Sequence, residues 1–235
     1  MKLLAFETAT EACSVALWVD GTVRERFEVA PRRHAELALP WAGQLLAEAG
    51  ITKSQLDAVA VGRGPGAFTG VRLSVALAQG IALALDRPVV PVSTLAALAM
   101  RAPSGRILAA IDARMGEVYS GTFVLREAGS GKELAALGEE VVGVPDAVQL
   151  PDQASDWHGI GTGFAALDGA LQARLGGRFI DVDAAALPHA IDVARLAAAA
   201  FAGGKGVAPD RVEPAYLRNK VALTSAEQRS LREGH

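Results

Sequence analysis

One pattern limits the fold more than any other: an apolar run, a glycine-rich turn and an alanine-rich helical run, arriving twice. The first copy is "DAVAVGRGPGAFTGVRLSVALAQGIALAL" from Asp57, and the second is "DWHGIGTGFAALDGALQARL" from Asp156. A short buried strand that turns sharply into a helix is the repeating unit of α/β and α+β proteins. Each copy follows strand-like runs. "KLLAF", "SVALWV" and "TVRERFEVA" precede the first, the last of them introduced by an Asp20-Gly21 turn, and they read as an antiparallel meander. "RILAAIDA" and "EVYSGTFVL" read as paired strands before the second. The order therefore predicts a duplicated α/β architecture with its junction near Pro103. Residues 1–103 form a first lobe and 104–235 a second, with a late helix near 190–203 and a polar tail.

Between these units, "HAELALPWAGQLLAEAG" carries Leu37, Trp41, Leu45 and Ala49 at helical spacing and stops at Gly50. Pro40 either kinks this helix or marks its start. "PVVPVS" reads as a strand, and "TLAALAMRA" as a helix begun by Ser93 or Thr94. "EAGSGKELAALGEEVV" reads as a polar excursion leading into a further strand.

Composition narrows the function classes. A hydrophobic share of 51% with 21% charged residues supplies a core, and the formal charge of −3 comes with no dense Lys/Arg block. A chain that grips nucleic acid alone usually presents such a block, so a nucleic-acid role calls for a partner or a modest local patch. Cys13 is the sole cysteine, which excludes an internal disulfide or a cysteine-based zinc site, and its strand context reads as core. The apolar N-terminal run is too short for a signal peptide, and "ARLAAAAFAG" is too brief to span a bilayer. The expectation is a soluble, cytoplasmic protein without a membrane partner.

Motifs for catalysis are sparse. Gly62–Ala67 matches G-x-G-x-x-A, but it does not follow the first strand of a βαβ unit with an acidic residue at the expected distance. Gly131-Lys132 and Gly204-Lys205 lack the Ser or Thr of a phosphate loop. His34, His158, His189 and His235 form no H-x-x-x-H pair, and no G-x-S-x-G elbow occurs. Catalytic and metal-ligating residues are therefore assigned to none.

The turn itself reads structurally: Pro65 fixes one φ, Gly64 and Gly66 permit positive φ, and Thr69 can cap the helix. Gly70, Ser74, Ala78 and Ala82 then recur every four residues as a stripe of small side chains, with Val71, Val75 and Leu85 on an adjacent edge. Such a stripe serves either docking of a second helix or close packing inside the chain. In "FETATEAC", Glu7, Thr8, Thr10 and Ser14 either hold a phosphate or satisfy an ordinary hairpin turn. Arg32, Arg33 and His34 form a small cationic knot, read as a solvated helix start or a contact for a partner or phosphate.

The blocks "LLAFETATEACSVAL", "RRHAELALP", "GRGPGAFTGVRLSVALAQGIA", "IDARMGEVY" and "PAYLR" together resemble the bacterial TsaB family, also called YeaZ. The resemblance implies the actin and sugar-kinase (ASKHA) fold: two lobes of duplicated βββαβα type, the second reduced. It further implies a non-catalytic role in making threonylcarbamoyladenosine in tRNA. The paralogue TsaD transfers the threonylcarbamoyl group and carries the metal, and TsaE is a P-loop ATPase. Family members pair with TsaD, or with themselves as a homodimer, through two helices that correspond to residues near 35–49 and 70–85. The interface residues so implied are Leu37, Trp41, Leu45, Gly70, Arg72, Ser74, Val75 and Ala78. tRNA is met indirectly, through the complex. No cofactor is firmly implied and no metal of its own. "ETAT" matches the phosphate-loop position but lacks the glycine and leading Asp of nucleotide-binding relatives. That leaves nucleotide binding by the isolated chain open and ATP or ADP at a subunit interface as the candidate, with Glu7, Thr8 and Thr10 as weak contacts. The rival reading is a stand-alone nucleotide-dependent kinase or hydrolase of the same fold, while a metalloprotease is disfavoured by the missing histidine pair.

Overall fold

In a computed structural model, which describes residues 1–129 and 131–218, the chain forms two mixed β-sheets flanked by helices. The first sheet begins with β1 (Lys2–Glu7), β2 (Ala12–Val19) and β3 (Thr22–Val29), an antiparallel meander. Asp20 (φ 48°) and Gly21 (φ 94°) supply the two left-handed residues that join β2 to β3. Helix α1 (His34–Glu48) leads to β4 (Ala58–Gly62), which lies parallel to β1. Helix α2 (Phe68–Leu85) leads to β5 (Val89–Val92), parallel to β4, and α3 (Thr94–Ala99) follows. Ser93 caps α3 by accepting a hydrogen bond from the Ala96 amide. Pro40 lies within α1, which starts six residues earlier at His34.

The second sheet contains β6 (Gly105–Arg114), β7 (Glu117–Ala128), β8 (Gly131–Ala136) and β9 (Val141–Gly143), then β10 (Trp157–Ile160) and β11 (Phe179–Asp183). The stretch expected to be a polar excursion contributes β8, paired along β7. Spatial order is β3-β2-β1-β4-β5 in one sheet and β8-β7-β6-β10-β11 in the other, so the duplicated βββαβα topology is present strand for strand.

The copies differ in their helices. Where the first half has α1, the second has only β9 and a 3-10 turn at Pro145–Ala147. Where the first has the 18-residue α2, the second has 3-10 turns and the six-residue α4 (Ala170–Leu175). Leu167 (φ 53°), Asp168 (φ 54°) and Gly169 (φ 78°) are left-handed and interrupt any longer helix. The second lobe is reduced for that reason.

Helix α5 (Ala190–Ala202) closes the described helices and packs chiefly on β1, β2, β4 and β5 of the first sheet, with Leu196 turned to the core of the second lobe. The meeting surfaces are small on both sides: Ala5, Ala16, Ala58 and Ala60 face Ala190, Ala194 and Ala197. Small side chains let helix and sheet approach closely at full packing density. In return, α3 packs on β6 and β7. On the other face of the first sheet, α1 and α2 share one core with Leu4, Phe6, Val15, Leu17, Val59 and Val61. Cys13 sits in that core, where burial pushes its thiol up to about 12.

Candidate functional site

Two surfaces merit a functional reading: the cleft between the lobes and the outer face of α1 and α2. The cleft encloses about 890 Å³. Its walls are the β1–β2 turn, the loop before α1, the first turn of α2, the β6–β7 turn, Thr162–Ala166 and the extended segment Pro214–Arg218.

The β1–β2 turn uses most of its polar atoms within the chain. Thr8 is fully buried and its hydroxyl donates to the Gly70 carbonyl at 2.7 Å. Glu7 is 1% exposed; it accepts from the Ala9 amide at 2.8 Å and from the Thr94 hydroxyl at 2.9 Å. Burial pushes its carboxyl up to about 7, against the opposing pull of those hydrogen bonds. Ser14 donates to Glu25 at 2.7 Å and accepts from the Ala190 amide at 2.8 Å. Of the three candidate nucleotide contacts, Thr10 alone lines the cleft; Glu7 and Thr8 do not reach it. In the cationic knot, Arg33 pairs with Glu28 at 2.9 Å and Glu36 at 3.2 Å, and His34 Nε2 lies 2.9 Å from the Thr10 carbonyl.

The glycine turn is likewise consumed internally. The Ala67 amide donates to the Ala9 carbonyl at 2.7 Å, and the Gly64 amide donates to Thr94 Oγ1 at 3.2 Å. Gly64 has φ 93°, as expected, but Gly66 is not left-handed. Gly66 is glycine because a Cβ there would lie 2.4 Å from the Ala9 carbonyl oxygen, and at Gly70 it would lie 2.0 Å from that of Thr8. The second copy repeats the arrangement: a Cβ on Gly161 would meet the Ala110 carbonyl oxygen at 2.3 Å. The first turn thus presses against the β1–β2 turn and the second against the backbone of β6. Thr69 does not cap α2; the N-cap is Ala67, with no side-chain cap.

The small-residue stripe faces inward. Gly70, Ser74, Val75, Ala78 and Ala82 are all buried, and Ser74 Oγ donates to the Gly62 carbonyl at 2.9 Å. Among the residues expected at an interface, Gly70, Ser74, Val75, Ala78 and Leu45 are buried within the isolated chain. The stripe seats α2 on its own sheet. Leu37 and Trp41 are half-buried and Arg72 is exposed, its guanidinium 3.5 Å above the Phe68 ring.

A second small-residue series, which the sequence reading passed over, points outward. On α2 it comprises Ala76, Gly80 and Ala84, flanked by Phe68 and by Leu83 at 75% exposure. On α1 it comprises Gly43 and Ala47, beside the exposed Leu39. A Cβ on Gly43 or Gly80 would meet nothing within 4 Å. Inside an exposed helix each glycine costs about 1 kcal/mol relative to alanine, and the chain's own packing gives no return for it. The available signal was that cost: a glycine at mid-helix with no turn to make. Among the described residues, no three His, Cys, Asp or Glu side chains cluster as a metal site.

The family model described as "TsaD: tRNA N6-adenosine threonylcarbamoyltransferase" matches residues 27–225. The chain is 42% identical over 229 residues to the tRNA threonylcarbamoyladenosine biosynthesis protein TsaB of Escherichia coli K12, covering 94% of this chain and 96% of that protein. It is 38% identical to the Haemophilus influenzae protein of the same description, covering 94% and 95%. YeaZ from Pseudomonas aeruginosa superposes with a TM-score of 0.81 at 46% identity, covering 92% of this chain and 99% of that one. Another Pseudomonas aeruginosa structure, described as an uncharacterized protein with similarity to peptidase YEAZ, gives 0.83 at 47% identity, with the same coverage. Near-complete alignment in both directions, together with the duplicated strand order and the reduced second lobe, places this chain in the TsaB (YeaZ) family, related to TsaD.

Proposed function

We propose that the chain is a non-catalytic scaffold and activating subunit in the synthesis of N6-threonylcarbamoyladenosine in tRNA. It binds TsaD through the outer face of α1 and α2, TsaE joins the larger complex, and tRNA is met through the assembly. The observation that carries this reading is the outward series around Gly43 and Gly80. Helix α2 has a mean hydropathy of 1.5 with only 33% of its 18 residues buried, an apolar surface in need of cover. Exposed glycines let a second helix approach at short interaxial distance. In the absence of TsaD the same face closes a homodimer. ATP or ADP, where the assembly uses it, binds at a subunit interface, since Glu7 and Thr8 are spent on internal hydrogen bonds.

Gly80→Arg tests the reading. The position is open, so the chain stays folded, while co-purification with TsaD and tRNA modification by the reconstituted system both fall to background. Normal pairing and full-rate modification with this variant would overturn the assignment. The rival kinase or hydrolase reading requires tight ATP binding by the isolated chain, and we expect calorimetry to show none.

A further inference from the structure

The extended segment after α5 ties the two lobes together in a way the subunit role does not require. Val207 exchanges two 2.9 Å backbone hydrogen bonds with Val89 on the free edge of β5. The Gln79 amide on α2 donates to the carbonyls of Pro209 and Val212 at 2.9 and 3.1 Å. Val212 is buried in the core beneath α2, and the Ala215 amide donates to the Arg63 carbonyl at 2.8 Å. Tyr216 then accepts from Arg72 Nε at 2.9 Å. From Val207 to Tyr216 the segment belongs to the first lobe.

Arg218 crosses to the second. Its guanidinium bonds the Glu117 carboxylate through Nε at 3.0 Å and also through Nη2; Nη2 further donates to the carbonyls of Ala113 at 3.1 Å and Arg114 at 3.4 Å. Nη1 lies 3.6 Å from Met115 Sδ. The target is the β6–β7 turn, where Arg114 (φ 62°), Met115 (φ 57°) and Gly116 (φ 80°) are successive left-handed residues. Two non-glycine residues in that region are costly and need outside support. Arg218 supplies it, with a side chain only 19% exposed, so this pair counts for more than an open surface ion pair.

We infer that residues 207–218 act as a brace that fixes the angle between the lobes, and with it the width of the cleft. One end is docked on β5 and α2, the other clamps the turn that forms the opposite lip. A change at α2 is thereby transmitted to the β6–β7 turn through the segment. Of the other three arginines lining the cleft, Arg32, Arg72 and Arg114, two are engaged within the chain: Arg114 pairs with Asp112 at 2.8 Å and Arg72 is held between Phe68 and Tyr216.

Amide hydrogen exchange on the isolated full-length chain tests the brace without any partner, so its outcome is separate from that of the TsaD assignment. Arg218→Ala should speed exchange at residues 113–118 about tenfold, the loss expected for a charge-assisted, largely buried contact, with the amides of β1 unaffected. Arg218→Lys, which keeps the charge but loses the fork, should give a smaller increase. Gln79→Ala, remote from the turn, is the decisive variant: it should speed the same amides several-fold. If Gln79→Ala leaves residues 113–118 unchanged while Arg218→Ala does not, Arg218 is a local contact and the brace is refuted. No change in either variant refutes it as well.

Discussion

Glu7 shows how a single residue can set a property of the whole chain. Its carboxyl is buried at the end of β1, under the turn between β4 and α2. Its folded pKa of about 7 stands above the ordinary 4.5, so the native state holds a proton that the unfolded chain releases. The stabilising contribution is complete below about pH 4.5 and fades as pH rises through 7, amounting to on the order of 3 kcal/mol. We expect the urea midpoint of the wild-type chain to fall across that interval and that of Glu7→Gln to stay flatter. Equal slopes for the two would show that Glu7 is not the titrating group. "ETAT" offered Glu7 as an acid at a strand end; its burial depends on Gly62 and Thr94, which come from β4 and the start of α3.

Within α2, two glycines ten residues apart make opposite forecasts. Gly70→Ala forces a Cβ against the Thr8 carbonyl and should destabilise the chain by about 3 kcal/mol. Gly80→Ala meets open space and should stabilise the isolated chain by roughly 0.5–1 kcal/mol, while weakening association with TsaD. Chemical denaturation of both variants, beside a pull-down for the second, checks this pair. A destabilising Gly80→Ala would mean that the outer face has an internal role. Helical spacing alone grouped Gly70, Ser74 and Ala78 correctly as one face, but a period of 3.6 residues does not say which way that face points. Outward apolar residues masked the direction, because Phe68 and Leu83 on the exposed side make α2 hydrophobic nearly all round.

For the whole molecule, the exchange of helices between lobes decides how it folds. Residues 1–103 by themselves lack α5, leaving Leu3, Ala5, Ala58 and Ala60 uncovered on one face of the first sheet. We expect that fragment to bind a hydrophobic dye and to unfold without cooperativity, whereas the full chain shows one transition by calorimetry. A cooperative, dye-free fragment would contradict the swapped-helix core.

By itself the sequence determined the local terms: the duplicated strand order, the Asp20-Gly21 hairpin, a hydroxyl cap at Ser93 or Thr94, the buried cysteine and the family. These depend on neighbours within about ten residues or on blocks that stay together in the chain. Tertiary structure alone decided what two distant segments do to each other. It turned the first small-residue stripe inward, placed α5 on the opposite lobe and spent the glycine turn's amides on the β1–β2 turn. It also set Arg218 against a turn about a hundred residues earlier. The physical reason is that a side chain's period fixes its neighbours along one element, whereas its burial and charge are fixed by whichever surface the folded chain brings to meet it.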